Sequence, residues 1–120
     1  MRWFLALAFA GAFAFQAQAQ ETAIGPLCDT QEHLEYSANA FKETKSVQKA
    51  LAAVNEKFGP VCAFIEFAYI AREDVADISV AGREGQIARV LVIAIKTEQG
   101  IAPVNPEFQF TIFLLPGRDA

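Results

Sequence analysis

The sequence predicts an α+β domain in which a helical hairpin packs on a three-stranded antiparallel β-meander, joined by one disulfide. Three observations carry this prediction. Apolar residues recur at helical spacing up to residue 58 and form strand-like runs after residue 61. Cys28 and Cys62 bracket the helical part. The chain has 120 residues, of which 53% are apolar, which suits one domain with one core.

The N-terminus has the pattern of a secretory signal peptide. Met1-Arg2 is followed by an apolar run over residues 3–15 and then by Ala17-Gln18-Ala19, a typical cleavage site. The run is shorter than the roughly 20 residues that a membrane-spanning helix needs. We therefore expect cleavage after Ala19, export to the periplasm or the medium, and no membrane insertion of the cleaved protein.

The charge balance argues against nucleic acid as a partner. The chain has 14 acidic and 10 basic residues, a net charge of -4, and loss of residues 1–19 removes Arg2 as well. Binding to phosphates normally requires a basic patch, but the lysines and arginines here are dispersed among acids. No nucleic-acid partner is expected.

The two cysteines predict a disulfide. An even number of cysteines in an exported chain usually pairs. Redox and metal sites instead tend to space their cysteines two residues apart, and Cys28 and Cys62 are far more widely separated. A structural disulfide is therefore favoured over a reactive or metal-binding pair.

Residues 20–27 contain Gly25-Pro26 and are predicted to be a short tail before the domain, which we place at residues 28–116, followed by a tail at 117–120. Asp29 is predicted to cap the first helix, because Glu32 follows at the capping-box spacing.

The second helix has the stronger signals. Ser46 or Thr44 can cap its start, an apolar stripe runs from Val47 to Phe58, and Gly59-Pro60 is a typical helix stop. The two helices should form a hairpin near residues 42–45.

Three strands are predicted, at residues 62–70, 86–96 and 107–114. Residues 72–85 between the first two are interpreted as a loop, although 75–81 also fits a short edge strand. Pro103 and Pro106 should delay the start of the last strand, because proline cannot donate to a β-ladder.

Several of these motifs resemble those of a group of small exported bacterial proteins of unknown function. They are Cys28-Asp29-Thr30 at a helix start, Ala53-Val54-Asn55 near a helix end, Cys62 before an apolar strand, and Arg89-Val90-Leu91-Val92 in the central strand. The similarity extends from Cys28 to about Phe113. It implies a shared fold and an exported location, and it supplies no catalytic or binding residues.

Catalytic and metal sites are poorly supported. His33 is the only histidine, so a Ser-His-Asp or Cys-His set has few members to draw on. Asp29, Glu32, His33 and Glu35 could gather a divalent cation, but a capped, solvated first helical turn is the favoured explanation of the acids. We expect no metal, no cofactor and no catalytic residue, and the sequence favours a non-enzymatic protein over an enzyme.

Glu66 is the one acid inside an apolar strand. It could serve as an acid beside a pocket under the 72–85 loop, in a small ligand-binding protein or enzyme. The simpler interpretation is an outward position or a cross-strand pair with Arg89. Gly82-x-x-Gly85 lacks the Lys-Ser/Thr of a phosphate loop and is interpreted as a turn.

Two short helices can shield only one face of a three-stranded sheet. Val90, Val92 and Phe113 are therefore candidates for an apolar interaction surface on the second face, unless the 72–85 and 101–106 segments fold over it. The sequence thus favours a small exported binding or interaction module that contacts a protein partner or a second copy of itself.

Overall fold

The computed structural model describes residues 20–119, and side chains as far as residue 116. The predicted signal peptide lies outside this range. The described chain is α+β, as predicted, with two helices and four antiparallel strands rather than three. The elements in chain order are β1 (Glu21–Cys28), α1 (Gln31–Thr44), α2 (Val47–Phe58), β2 (Cys62–Val80), β3 (Arg83–Thr97) and β4 (Gly100–Asp119).

The prediction of a tail at residues 20–27 was wrong, because this segment forms β1. The strand pairs with β2 over its whole length, up to the pair Cys28↔Cys62. Its other neighbour, β4, pairs with it only at Cys28↔Phe110. One edge of β1 is therefore largely free of ladder partners, and Pro26 is tolerated there because an edge strand can dispense with an N–H donor.

Both helices begin at a hydroxyl cap. Thr30, not the predicted Asp29, caps α1 and accepts a hydrogen bond from the His33 backbone N–H at 3.1 Å. Ser46 caps α2 by accepting from the Lys49 N–H at 3.2 Å, which confirms one of the two predicted caps. The predicted stop at Gly59 is also confirmed, with a positive φ of 95°.

The predicted loop at residues 72–85 was wrong, because β2 continues to Val80 and turns directly into β3. Ala81 and Gly82 form a two-residue turn, and both have positive φ, 53° and 80°, as tight hairpin turns require. Between them and Asp74 the exposed residues alternate with half-buried Ala76 and Ile78. This period of two stabilises a strand despite the charged composition.

The predicted strand at residues 107–114 is part of β4, which is longer at both ends. Its register against β3 shifts between Val92↔Glu107 and Ala94↔Pro103. The intervening irregularity accommodates Pro106, so the two prolines interrupt the ladder without ending the strand. The predicted tail from residue 117 continues this strand through the described range.

The close approach of β3 and β4 explains Gly85, which was interpreted as part of a turn but lies inside β3. A Cβ at this position would lie 2.9 Å from the Phe113 carbonyl oxygen. Only glycine fits there without a backbone shift.

The sheet closes on itself and separates two apolar clusters. One cluster contains residues from all four strands, among them Leu27, Phe67, Tyr69, Val90 and Val92. The other lies beneath the helices and includes both cysteines. Curling of the sheet thus supplies a second buried layer that the two helices could not provide.

Candidate functional site

The predicted disulfide is confirmed between Cys28 and Cys62, whose Cα atoms lie 4.1 Å apart. Both cysteines are buried against Leu34, Val54 and Ile87. The bond joins the end of β1 to the start of β2 and thereby closes the loop that holds both helices. Within the described chain no cysteine is free.

The apolar surface predicted at Val90, Val92 and Phe113 does not form on the second face of the sheet, although Phe113 does line the groove described below. Val90 and Val92 are 0% and 2% exposed. Phe113 is half-buried and packs against the same cluster, with its ring 5.8 Å from that of Tyr69. The second face of the sheet is buried because β1 is added to the sheet and the sheet curls. No loop of the described chain folds over this face.

The surroundings of Glu66 also differ from the prediction. Glu66 lies opposite Ile24 on β1, and its carboxylate is 3.9 Å from the Lys96 ammonium. Arg89 contacts Glu73 instead, at 3.3 Å, so the expected Glu66–Arg89 pair is absent. No loop covers Glu66, and neither of the two cavities described below includes it among its lining residues.

The start of α1 does not assemble a metal site in the described chain, where no group of three or more potential ligands is close enough to hold an ion. His33 packs its ring 4.5 Å from the ring of Phe58, and its Nδ1 atom is buried without a hydrogen-bond partner. The histidine therefore serves as a packing residue between α1 and the end of α2.

A groove with a volume of about 540 Å³ lies between the helical hairpin and the sheet. This volume lies in the range of about 300–1,000 Å³ that is typical of small-molecule sites. We call this feature the apolar groove. Its lining residues come from β1, α1, α2, the β2–β3 hairpin and β4, and they are Ile24, Gly25, Pro26, Ser37, Ala38, Phe41, Val47, Ala50, Leu51, Phe64, Val80, Ala81, Arg83, Ile112, Phe113 and Leu114.

The apolar groove exists because small residues line it where the layers meet. Ser37, Ala38 and Ala50 are buried, and their short side chains leave space between the helices and the sheet. Ser37 donates its hydroxyl hydrogen to the Leu34 carbonyl oxygen at 2.7 Å. Its hydrogen-bond donor is therefore already used within the helix.

Large apolar side chains project beside this space. Ile24 is 66% exposed, Phe64 51%, Leu114 42% and Val47 40%, and all four line the apolar groove. Isolated exposed apolar residues are common, but a contiguous set around a cavity is typical of a binding site.

Arg83 is the one charged residue among those that line the apolar groove. It is exposed, and it forms no salt bridge with any side chain that the structure describes. Acidic residues are absent from this lining. The groove is thus apolar with a single cationic group.

A second cavity of about 480 Å³ is lined by residues 77–79 and 84–86 of the β2–β3 hairpin and by Leu115. Asp77, Ser79, Glu84 and Gln86 contribute polar or charged side chains to it, together with Ile78 and Leu115. It lacks the exposed large apolar rim that marks the apolar groove.

Tyr69 forms a polar contact with Glu21, the first residue of β1, away from both cavities. Its hydroxyl donates to Glu21 Oε1 at 3.1 Å. Burial raises the pKa of Tyr69, as do the hydrogen bond to Glu21 and its negative charge, while Arg72 acts in the opposite direction. This contact fastens the first residue of β1 to β2.

Comparison of the chain with protein-family models, with curated proteins and with solved structures gives no match. The resemblance to small exported bacterial proteins therefore stays a prediction. In residues 20–119, no helix is long and apolar enough to cross a membrane.

The sequence analysis missed the apolar groove because it did not place β1. Burial alternates along residues 23–27, but the residue types do not show it, because the exposed position is Ile24 and one of the buried positions is Gly25. The Gly25-Pro26 pair obscured that pattern, since both residues are more common in turns.

Proposed function

We propose that this protein is an exported, non-enzymatic binding module and that the apolar groove is its binding site. The observation that carries the proposal is the coincidence of a cavity of about 540 Å³ with exposed large apolar side chains on its rim. Water in such a groove gains little from the lining side chains, so burial of an apolar group there is favourable by about 25 cal/mol per Å².

Export is supported by the signal-peptide pattern of residues 1–19 and by the disulfide, which persists in oxidising compartments. Relative to the interaction surface expected from the sequence, the proposal leaves out Val90 and Val92, which are buried, and retains Phe113, which lines the apolar groove. Glu66 has no part in it.

The test is uptake of N-phenyl-1-naphthylamine, an uncharged apolar dye, by the full chain expressed with residues 1–19 and purified without reductant. We expect saturable binding with a rise in dye fluorescence. Ala38→Leu should occupy space in the groove. Displacing one or two methylene-sized portions of the dye costs about 0.8 kcal/mol each, roughly a four- to fifteen-fold loss of affinity.

Ala52→Leu is the matched control, because Ala52 is exposed on α2 and does not line the groove. Phe64→Ser is a second groove variant that leaves both helices unchanged. The proposal fails if the unaltered protein takes up no dye, or if both groove variants bind it as tightly as the control does.

A further inference from the structure

We infer that the occupant of the apolar groove is a single-chain amphiphile with a carboxylate head, of the fatty-acid type, and that Arg83 pairs with the head. This inference rests on the proposed function and specifies the ligand class for the same site. It is carried by the charge of the lining and by the hydrogen-bonding state of its polar side chains.

The charge argument is one of complementarity. The whole chain has 14 acidic and 10 basic residues, yet the lining of the apolar groove contains an arginine and no acid. The guanidinium of Arg83 has no salt-bridge partner among the described side chains. A guanidinium matches a carboxylate in charge and can bind both of its oxygens.

Hydrogen bonding favours an acyl tail over a peptide segment as the occupant of the apolar groove. A peptide segment in the groove would bring N–H and C=O groups that lose water, and each unpaired group is costly. A peptide could use the edge of β1 that lacks ladder partners, but Pro26 interrupts that edge because it has no N–H to offer, and the Ser37 hydroxyl already donates to Leu34. An acyl chain has no polar group along its length, so it is buried without this cost.

The size of the groove agrees with one such molecule. Its volume of about 540 Å³ falls within the range of single small-ligand sites. The exposed side chains of Ile24 and Phe64 are placed to cover the tail, while Arg83, itself exposed, keeps the head near water.

The experiment is displacement of the bound uncharged dye by dodecanoate, dodecanol and dodecyltrimethylammonium, all below micelle-forming concentrations. We expect dodecanoate to compete about two- to five-fold more strongly than dodecanol, as an exposed ion pair allows. Dodecyltrimethylammonium should compete least. The preference for the carboxylate should shrink in high salt, which screens exposed charges.

Arg83→Gln should abolish this preference and leave dodecanol binding unchanged. Lys96→Gln is the matched control, since it removes the same charge from a residue that pairs with Glu66 outside the groove. The inference is overturned if carboxylate and alcohol compete equally, if Arg83→Gln keeps the preference, or if sedimentation shows a dimer that dodecanoate dissociates no better than dodecanol does. In the first two outcomes dye uptake still supports the proposed function, whereas absence of dye uptake defeats both.

Discussion

Asn55 connects the helical hairpin to the sheet with a single side chain. Its Oδ1 accepts hydrogen bonds from the backbone N–H groups of Val61 and Cys62, at 3.0 and 2.9 Å. Its Nδ2 donates to the Cys62 carbonyl oxygen at 2.9 Å. The turn after α2 therefore has its backbone groups satisfied by a residue that precedes it, directly beside the disulfide.

Asn55→Ala should lower the free energy of unfolding by about 2–4 kcal/mol, because two partly buried N–H donors lose their acceptor. Asn55→Asp keeps the acceptor for both N–H groups but replaces the donor to the Cys62 carbonyl oxygen with a second acceptor, so it should restore only part of the stability lost in Asn55→Ala. Denaturant unfolding measures both, with Asn39→Ala, an exposed change on α1, as the control. A midpoint for Asn55→Ala equal to that of the control would contradict the bridging role.

Tyr69 should make stability depend on pH in the alkaline range. Its pKa is raised above the ordinary value of 10.0 by burial and by Glu21. The native state therefore favours the protonated phenol, and this contribution is complete below about pH 10 and is lost as the pH rises through the raised pKa. Tyrosinate absorbance in a Tyr36→Phe background isolates the titration of Tyr69.

Glu21→Gln should bring the pKa of Tyr69 back towards its ordinary value, because the carboxylate charge is removed. If Tyr69 already titrates at its ordinary value in the unaltered native protein, the contact with Glu21 does not hold in solution.

At the residue scale, the helix ends were more predictable than the contacts across layers. Ser46 and Gly59 follow from local chemistry that the sequence displays. Thr30 and Asp29 can each cap a helix, and the sequence does not distinguish them, because the outcome depends on which one takes the extended backbone conformation. The role of Asn55 depends on where β2 begins in space, so no local pattern could indicate it.

At the element scale, β1 and the second half of β2 are the elements that the sequence analysis missed. Each has a composition more typical of loops, with Gly25-Pro26 in one and Arg72, Glu73 and Asp74 in the other. Tertiary pairing overrides local preference in both. All three charged side chains are exposed, and Arg72 contacts Asp74 at 2.8 Å, so the ladder forms without burying charge.

The disulfide acts between elements, since it holds β1 against β2 and closes a loop between two cysteines that are 34 positions apart in the sequence. Reduction should lower the free energy of unfolding by about 2–5 kcal/mol, the usual cost in a small exported domain. The denaturant midpoint of the oxidised and reduced protein measures it. A double change of Cys28 and Cys62 to alanine serves as the control that no longer responds to reductant.

Comparison of the reduced protein with this double variant separates loss of the cross-link from loss of sulfur packing in the cluster beneath the helices. Two free thiols in the protein purified without reductant, or a midpoint that reduction leaves unchanged, would contradict the structural role of the bond.

At the scale of the whole molecule, closure of the sheet decides which apolar face meets water. The sequence shows that β3 is apolar on both faces, and two helices can cover only one of them. The second face is buried because β1 approaches β4 at Cys28↔Phe110, a pairing between residues that are far apart in the sequence. Such a long-range contact leaves no periodic trace in either strand, so an exposed face was the reasonable expectation.

Two substitutions of the same kind distinguish the buried face from the exposed groove. Val92→Glu should unfold the protein, because an unpaired carboxylate inside the closed sheet costs several kcal/mol against a typical total stability of about 5–15 kcal/mol. Ile24→Glu places the same charge on a side chain that is 66% exposed, so the free energy of unfolding should change by no more than about 0.5 kcal/mol. It should nevertheless weaken dye uptake, because Ile24 lines the apolar groove. Circular dichroism during denaturant unfolding measures the change in stability, and dye titration measures the change in binding.

A Val92→Glu protein that folds with the stability of the unaltered chain would mean that the sheet is open in solution. Its second face, rather than the groove, would then be the apolar surface available to partners.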